Sequence, residues 1–581
     1  MIVTATDGVT LAIHHYNEID PQRPTILAIH GWPDNHHVWD GVAERLLARY
    51  NVIAYDVRGA GESSCPADRS GYRFAQLASD TDTVIDSLGV GKVHLLAHDW
   101  GSIATWNAIT DEPLMGKVAS FTSISGPHLR YAGRFLRSAR TPKAVADVAK
   151  QLVGSAYIGF FLCPGLPELA FRSGLGVKVF GGLERIGQSS TRSQRDAAPR
   201  AIGDFVNGLG MYRANMPKPM VSPGPDSDLP HTTVPVQVLV PRKDRFVTPA
   251  LQRFTGAITQ GGRVIPIEGG HWVVTSRPDV IARLTAEWVD HVADGTAAGP
   301  SGVRAGRREV RGKLALVTGA GAGIGRATAV ELARQGARKV LLVDLDSVAA
   351  KEGADAVRAA GAEAAVYQAD VSDEAGMDEL AAQVRNEHGV VDILVNNAGI
   401  GMAGRFLETT SANWDAIMGV NVRGVITGSR VFGAQMVERG EGGTIINIAS
   451  AAAFLPSKSM VAYSTTKAAV LGFSETLRAD LADEGITVTA VCPGFVNTNI
   501  AKSTVYAGMS AEQQERAREK ADAAYRRRNF TPEATAKAIV KAVRTGSPVV
   551  PVAAESRPGY AMRRISPSAV RLFARIDIRQ K

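Results

Sequence analysis

Residues 294 to 309 read Asp-Gly-Thr-Ala-Ala-Gly-Pro-Ser-Gly-Val-Arg-Ala-Gly-Arg-Arg-Glu. They carry neither the alternation of a strand nor the 3.6-residue recurrence of a helix, and their Gly, Ala, Ser and Pro content is that of a linker. The chain has 581 residues, too many for one hydrophobic core. A folding unit is therefore expected on each side, over 1–293 and 310–581. On the first side the apolar runs Thr25–His30, Asn51–Asp56 and Val93–His98 alternate with helical segments. That pattern predicts a parallel sheet covered by helices on both faces, an α/β unit. From about 128 to 231 the strand signal is lost and helical stretches are broken by Gly and Pro. Strands return at Val234–Val240 and Arg263–Ile267, so a helical lid is inserted into the sheet. On the second side Lys313-Leu-Ala-Leu-Val-Thr-Gly319 opens a fresh strand and glycine loop. The two halves share strand–helix alternation but no internal repeat.

Composition narrows the function classes. The three cysteines, Cys65, Cys163 and Cys492, have neither disulfide nor metal-ligand spacing, which points to a reducing compartment and to no metal site. The N-terminus reads as strand and turn, without the apolar core of a signal peptide. No apolar run reaches the 18 or so residues that span a bilayer. A cytoplasmic location is expected, with attachment to a membrane surface left open. The formal charge of +8 is diluted over the chain, and no nucleic-acid-binding motif accompanies it.

Ala97-His-Asp-Trp-Gly101 follows a strand and opens a helix, with small residues flanking a central carboxylate. This is the form of a nucleophile elbow, with Asp99 in the projecting position. His30-Gly-Trp-Pro33 follows an earlier strand, Asp244 a later one, and His271 the last. The order nucleophile, acid, histidine is that of α/β-hydrolases. A carboxylate attacks a saturated carbon to give an alkyl ester, which water then cleaves at the carboxyl carbon. His271, oriented by Asp244, is the candidate base for that water. The backbone amides of Trp32 and Trp100 are candidate oxyanion donors. Ser102 lies beyond the turn and reads as ordinary helix.

At these residues the first half resembles the epoxide hydrolases of the α/β-hydrolase fold. Haloalkane dehalogenases share the His-Asp-Trp-Gly elbow and are the alternative, but they usually carry Asn where this chain has Trp32. The resemblance extends to Tyr212 in Met211-Tyr-Arg213 and to Tyr157 in Ala156-Tyr-Ile. It implies that these two lid phenols donate to the oxygen released when an epoxide opens. Ala97 stands where glycine is commonest. The resemblance implies no cofactor for this half.

Leu316-Val-Thr-Gly-Ala-Gly-Ala-Gly-Ile-Gly325 follows a strand and enters a helix. Gly319, Gly323 and Gly325, with Ile324 between them, have the spacing that lets backbone approach a pyrophosphate at a helix N-terminus. Asp344 ends the next strand, where an acid accepts hydrogen bonds from ribose hydroxyls. A 2′-phosphate would meet a like charge there, and Leu345 offers no cation. NAD is expected, with NADP as the alternative. Asp370-Val371, Asn396-Asn397-Ala-Gly, Asn421, Ser450, Tyr463-Ser-Thr-Thr-Lys467 and Pro493-Gly494 follow in order. Together they resemble the short-chain dehydrogenases/reductases, a Rossmann-fold family. The resemblance implies that Tyr463 is the general acid/base, its pKa lowered by Lys467 and the nicotinamide. It implies that Ser450 steadies the substrate oxygen and that Asn421 holds a relay water with Lys467. Asp370 and Val371 would border the adenine, Asn397 would belong to the cofactor wall, and Thr498 would reach the carboxamide. A homo-oligomer through this half is implied as well.

The whole chain resembles actinobacterial fusions of these two enzymes associated with lipid and cell-wall fatty-acid metabolism. Lipophilic small molecules are the expected substrates. Two features are compatible with them. Residues 129 to 231 contain 14 Lys/Arg against 7 Asp/Glu. Arg571, Arg575 and Arg579 form one row of a C-terminal helix, with Val570, Leu572, Phe573 and Ile576 elsewhere on it. That basic helix could lie on an anionic membrane, or pack against the dehydrogenase cleft or a partner subunit. The alternative from another class makes the first half a non-catalytic lipid-binding module beside an active dehydrogenase.

Overall fold

The computed structural model describes residues 1–110, 112–184, 200–225, 229–258, 262–293, 302–303, 309–498, 500–528 and 530–575. The chain divides into two compact units, Met1–Arg304 and Ala305–Lys581. Most of the 294–309 stretch lies outside the described residues. Its described part differs from the linker expectation, because Gly302–Val303 pairs in parallel with Arg263–Val264. Two residues suffice for an edge strand, since the neighbouring backbone supplies the register.

The first unit is built on a nine-stranded sheet. Its order is Ile2–Thr4, Thr10–His15, Asn51–Tyr55, Thr25–Ile29, Val93–His98, Val118–Ile124, Val236–Pro241, Arg263–Ile267 and Gly302–Val303. From Asn51–Tyr55 onward the pairing is parallel. The first two strands add antiparallel at one edge, outside the all-parallel expectation. The central strands are buried at every position, as continuous Val/Ile/Leu runs covered on both faces must be. Between Val118–Ile124 and Val236–Pro241 the described residues form only helices, from Leu129–Arg137 to Lys218–Val221. They are the lid. Against the expectation that no apolar run is long enough to span a bilayer, one lid stretch, Pro142–Leu162, passes by length and composition, with mean hydropathy 1.2, because its few charged residues are diluted over two helices. It turns at Ser155–Ala156, dividing into helices Pro142–Gly154 and Tyr157–Leu162.

The second unit is a seven-stranded parallel sheet. Its order is Glu363–Gln368, Lys339–Asp344, Leu314–Thr318, Ile393–Asn396, Gly443–Ile448, Ile486–Pro493 and Val549–Val552. The order reverses between Leu314–Thr318 and Ile393–Asn396, so a crevice opens beyond the carboxyl ends of those two strands, where such sheets bind ligands. At the C-terminus the helix Pro567–Phe573 buries Val570 and leaves Arg571, Leu572 and Arg575 exposed. The Ala574 carbonyl accepts from the Lys458 amide, so this segment packs on the loop before Tyr463. Ile576 and Arg579 lie outside the described residues.

Candidate active sites

Asp99 stands at the first turn of the helix Asp99–Ala108, directly after the strand Val93–His98. Its φ is +50°, one of three positive values at non-glycine residues among the described residues. An L-residue held there signals a turn over-determined by its surroundings. Those surroundings are tight. A Cβ on Gly101 would lie 2.4 Å from the His30 carbonyl oxygen, and one on Gly126 would lie 2.2 Å from that of Asp99. The Trp32 amide donates to Asp99 Oδ2 at 3.0 Å. A Cβ on Gly31 would lie 2.7 Å from the Trp100 amide nitrogen, so both expected oxyanion donors border Gly31 beside the carboxylate.

His271 completes the set. Its Nε2 is 3.6 Å from Asp99 Oδ1, and its Nδ1 is 3.1 Å from Asp244 Oδ2. Asp244 is buried and accepts from the Phe246 and Val247 amides and from Gln252 Nε2. Burial disfavours a charged His271, but Asp244 and Asp99 outweigh it and raise the imidazole to about 10. The resting histidine is an imidazolium between two carboxylates.

Both lid tyrosines reach this centre. Burial, then the Asp99 carboxylate, raises the Tyr157 phenol. Burial, Tyr157 and Asp99 raise Tyr212. The two rings stand edge to face at 6.2 Å. Trp32 is caged by Phe161, Phe171, Phe180, Phe205 and Tyr212, with centroids 4.8 to 6.1 Å away. Its indole N–H is committed to the Phe205 carbonyl at 3.0 Å. Ser102 is buried and bonded to Ser123 and the Gly126 carbonyl, as helix packing requires.

Three contributors have no role in the sequence reading, although His98 stands in the elbow motif. His98 Nε2 lies 2.9 Å from the His271 carbonyl. Gln252 braces Asp244. Gln151, on a lid helix, donates to the Phe246 carbonyl and accepts from Thr248 N and Oγ1, fastening the lid to the acid loop. Outside the site, His14 and His36 stack at 3.4 Å over the buried Asp56. Asp56 receives both rings and the amides of His36 and Glu62, so the chain itself occupies its four lone-pair positions.

In the second unit a cavity of about 650 Å³ runs along the crevice. It is lined by Gly319, Gly323, Ile324, Asp344, Asp370, Val371, Asn397, Ser450, Tyr463, Lys467, Pro493, Gly494 and Thr498. Gly325 stands behind this wall, where a Cβ would lie 2.0 Å from the Gly319 carbonyl oxygen. Asp344 accepts from the Gly321 amide at 2.7 Å, which fixes its carboxylate beside the glycine loop. Asn397 donates to the Thr318 and Gly319 carbonyls and pins the loop from the other side. A backbone cradle closed to any Cβ, with a carboxylate at the next strand end, fits a dinucleotide.

Asn421 is fully buried on the π-turn Gly419–Arg423, exchanging hydrogen bonds with the backbone of Ile400. Such turns often mark functional sites. Lys467 Nζ donates to the Ile448 carbonyl and sits 5.8 Å from the Tyr463 ring centroid. Burial lowers Lys467 to about 8. The expected lowering of Tyr463 includes the charge of a nicotinamide, which the chain does not itself supply. Burial raises the phenol, and the Ser450 hydroxyl pulls it back only in part. A neutral, desolvated phenol resists ionisation until a positive charge is brought near it. Arg528 and Glu555 also line the cavity and had no motif to flag them. The Arg528 guanidinium lies 4.2 Å from the Phe495 ring centroid, and Glu555 accepts from the Phe495 amide.

Known proteins match both halves. The family "alpha/beta hydrolase fold" matches residues 24–278, and "short chain dehydrogenase" matches 313–507. The "Probable oxidoreductase EphD" of Mycobacterium bovis is 38% identical over 99% of this chain and 98% of its own length. The chain belongs to the family that fuses an α/β-hydrolase to a short-chain dehydrogenase. It is thus a two-enzyme fusion, whose second unit is the short-chain dehydrogenase with its dinucleotide-shaped crevice. The 2,3-dihydro-2,3-dihydroxybenzoate dehydrogenase of Bacillus subtilis is 37% identical over 33% of this chain and 72% of that protein. A Burkholderia phymatum short-chain dehydrogenase solved with NAD is 33% identical, covering 45% of this chain and 96% of its own, with a TM-score of 0.42.

Proposed function

We propose that the first unit hydrolyses a lipophilic epoxide to a vicinal diol through an ester on Asp99. The observation that carries this reading is the pair of phenols, Tyr157 and Tyr212, set against the Asp99 carboxylate. Trp32 holds Asp99 Oδ2, which leaves Oδ1 to attack an epoxide carbon. As that C–O bond forms, the ring C–O bond breaks, and its oxygen takes a proton from a lid phenol. His271, an imidazolium at rest, gives up its proton to make good the one the phenol lost, then removes a proton from water, whose oxygen adds to the ester carbon while the Trp32 and Trp100 amides hold the oxyanion. On collapse the Asp99 carboxyl passes the remaining water proton to the departing oxygen, which releases the diol and restores the carboxylate beside the imidazolium. The aromatic cage around Trp32 favours an apolar chain on the substrate. The dehalogenase reading is weaker, because the Trp32 indole N–H already donates to Phe205 and is not free to hold a halide. The complete set of Asp99, Asp244 and His271 also weighs against a binding module.

In the second unit the reading is oxidation of a secondary alcohol, or reduction of a ketone, on a related lipid-like molecule. A bound nicotinamide supplies the hydride chemistry. Tyr463 exchanges the proton with the substrate oxygen, Ser450 orients that oxygen, and Lys467 is the cation held behind them. Asp344 and the exposed, uncharged Leu345 favour NAD over NADP. Assembly through this unit is part of the reading.

Intact-mass measurement of the His271→Gln variant incubated with epoxidised fatty acids tests the first unit. An adduct equal to the epoxide mass, mapped to Asp99, is expected. Its absence over a range of chain lengths, with halide release from alkyl halides instead, would reject it. Tyr463→Phe with unchanged NAD-dependent turnover would reject the second reading.

A further inference from the structure

Nine of the twenty large exposed apolar side chains among the described residues fall between 142 and 184. They belong to four consecutive lid helices, Pro142–Gly154, Tyr157–Leu162, Leu166–Arg172 and Leu175–Glu184. Each of the last three turns one phenylalanine inward onto Trp32, namely Phe161, Phe171 and Phe180. Phe160, Leu166, Leu169, Leu175, Val179 and Leu183 of the same helices are exposed. Val153 is 78% exposed, Leu169 67% and Leu175 65%. Soluble surfaces scatter such residues singly, so this density marks an interaction face.

The charges on the same helices are one-sided. Lys143, Lys150, Arg172 and Lys178 are exposed, and none is ion-paired among the described residues. The acids of the segment are all partly covered. Glu168 is paired to Arg213 and Glu184 to Arg200, leaving Asp147. Exposed apolar side chains on helices that also carry exposed cations with no ion pair among the described residues match a bilayer interface, where acyl chains meet anionic headgroups.

We propose that the outer face of the lid docks on an anionic phospholipid bilayer. The Pro142–Leu162 stretch then lies in the interface and does not span it. Its turn at Ser155–Ala156 breaks the helix, and Gln151 is tied to the acid loop. Docking brings lipophilic substrate to the helices that carry Tyr157 and roof Trp32. The proposal stands on this surface and holds whichever electrophile the site accepts.

The test uses the full chain and phosphatidylcholine vesicles with or without phosphatidylglycerol. Co-sedimentation is expected to be at least ten-fold stronger with phosphatidylglycerol and to weaken in high salt. Leu169→Glu/Leu175→Glu should cost ten-fold or more of that binding, with the circular dichroism spectrum retained. Arg571→Glu/Arg575→Glu should leave it intact. Exposed Cys163 lies in this face, between two of the helices, and Cys492 is buried. In a Cys65→Ser background an environment-sensitive fluorophore on Cys163 should shift to the blue on phosphatidylglycerol vesicles. This readout does not depend on the acidic variant folding. No binding to phosphatidylglycerol vesicles, or no shift at Cys163, overturns the proposal. So does binding lost only in the Arg571/Arg575 variant. A wild-type oligomer that ignores vesicles but dissociates in the Leu169/Leu175 variant makes the face a contact between copies, and also overturns it.

Discussion

Replacing Asp99 by Asn imitates the charge of the proposed ester while keeping the shape of the side chain. His271 Nε2 lies 3.6 Å from Asp99 Oδ1, and both groups are buried. At that distance and an effective dielectric of about 20, one carboxylate favours the imidazolium by roughly 4–5 kcal/mol. This corresponds to about three pKa units. His271 in Asp99→Asn should therefore titrate near neutrality, against about 10 in the native chain. Asp244 remains in place and keeps the value from falling as far as burial alone would take it. Stability should follow. A histidine raised on folding stabilises fully below its ordinary value near 6.5 and loses that contribution as pH rises through about 10. In Asp99→Asn the loss should be complete by about pH 8. The assay is an NMR titration of His271 with thermal unfolding from pH 6 to 10. A His271 that titrates at the same pH in both proteins would refute the idea that Asp99 shares its proton.

Tyr157→Phe and Tyr212→Phe should each slow formation of the Asp99 ester on the order of ten-fold or more. The double variant should lose roughly 10²–10⁴-fold, with ester hydrolysis unchanged, as rapid-mixing kinetics would show. Asp344→Ala/Leu345→Arg should move the NADP-to-NAD ratio of kcat/KM by at least ten-fold. It removes a like charge and supplies a guanidinium for the 2′-phosphate, and an unchanged ratio would place the ribose elsewhere. Gly126→Val drives a side chain into the Asp99 carbonyl oxygen. It should cost about 1–3 kcal/mol of stability, read as a lower Tm.

Both sheets were legible because their strands are continuous apolar runs, which only a doubly covered sheet can bury. The Val93–His98 and Arg263–Ile267 strands match their predicted bounds. The antiparallel edge at Ile2–Thr4 and Thr10–His15 lay outside that logic, since an edge strand with one open side need not be uniformly apolar. Gly302–Val303 was hidden because two residues are too few to show a period, and its backbone pairing leaves no mark in the sequence. Asp99, Asp244 and His271 could be read because each follows a strand, whose end fixes where a side chain points. Gln252, Gln151 and His98 could not, because each acts through a hydrogen bond made across the fold. Burial of the Tyr463 phenol, which raises it in the chain alone, has no counterpart in a reading of which charges stand nearby.

The Asp99 charge links the two half-reactions of the proposed hydrolysis. While Asp99 is ionised it holds His271 as an imidazolium, which cannot take a proton from water. Burial raises Tyr157 and Tyr212 and the same charge raises them further, which keeps both phenols protonated ahead of ring opening. Alkylation abolishes that charge. The phenols become stronger acids as the leaving oxygen needs a proton, and the imidazolium becomes able to lose its own. A base is then available at Nε2 once there is an ester for water to attack. Asp244 cannot substitute for Asp99 in this timing, because its oxygens are bound by two amides and Gln252 throughout. The nucleophile must therefore be the group whose charge changes, and a serine at position 99 would leave His271 and both tyrosines unresponsive to the progress of the reaction.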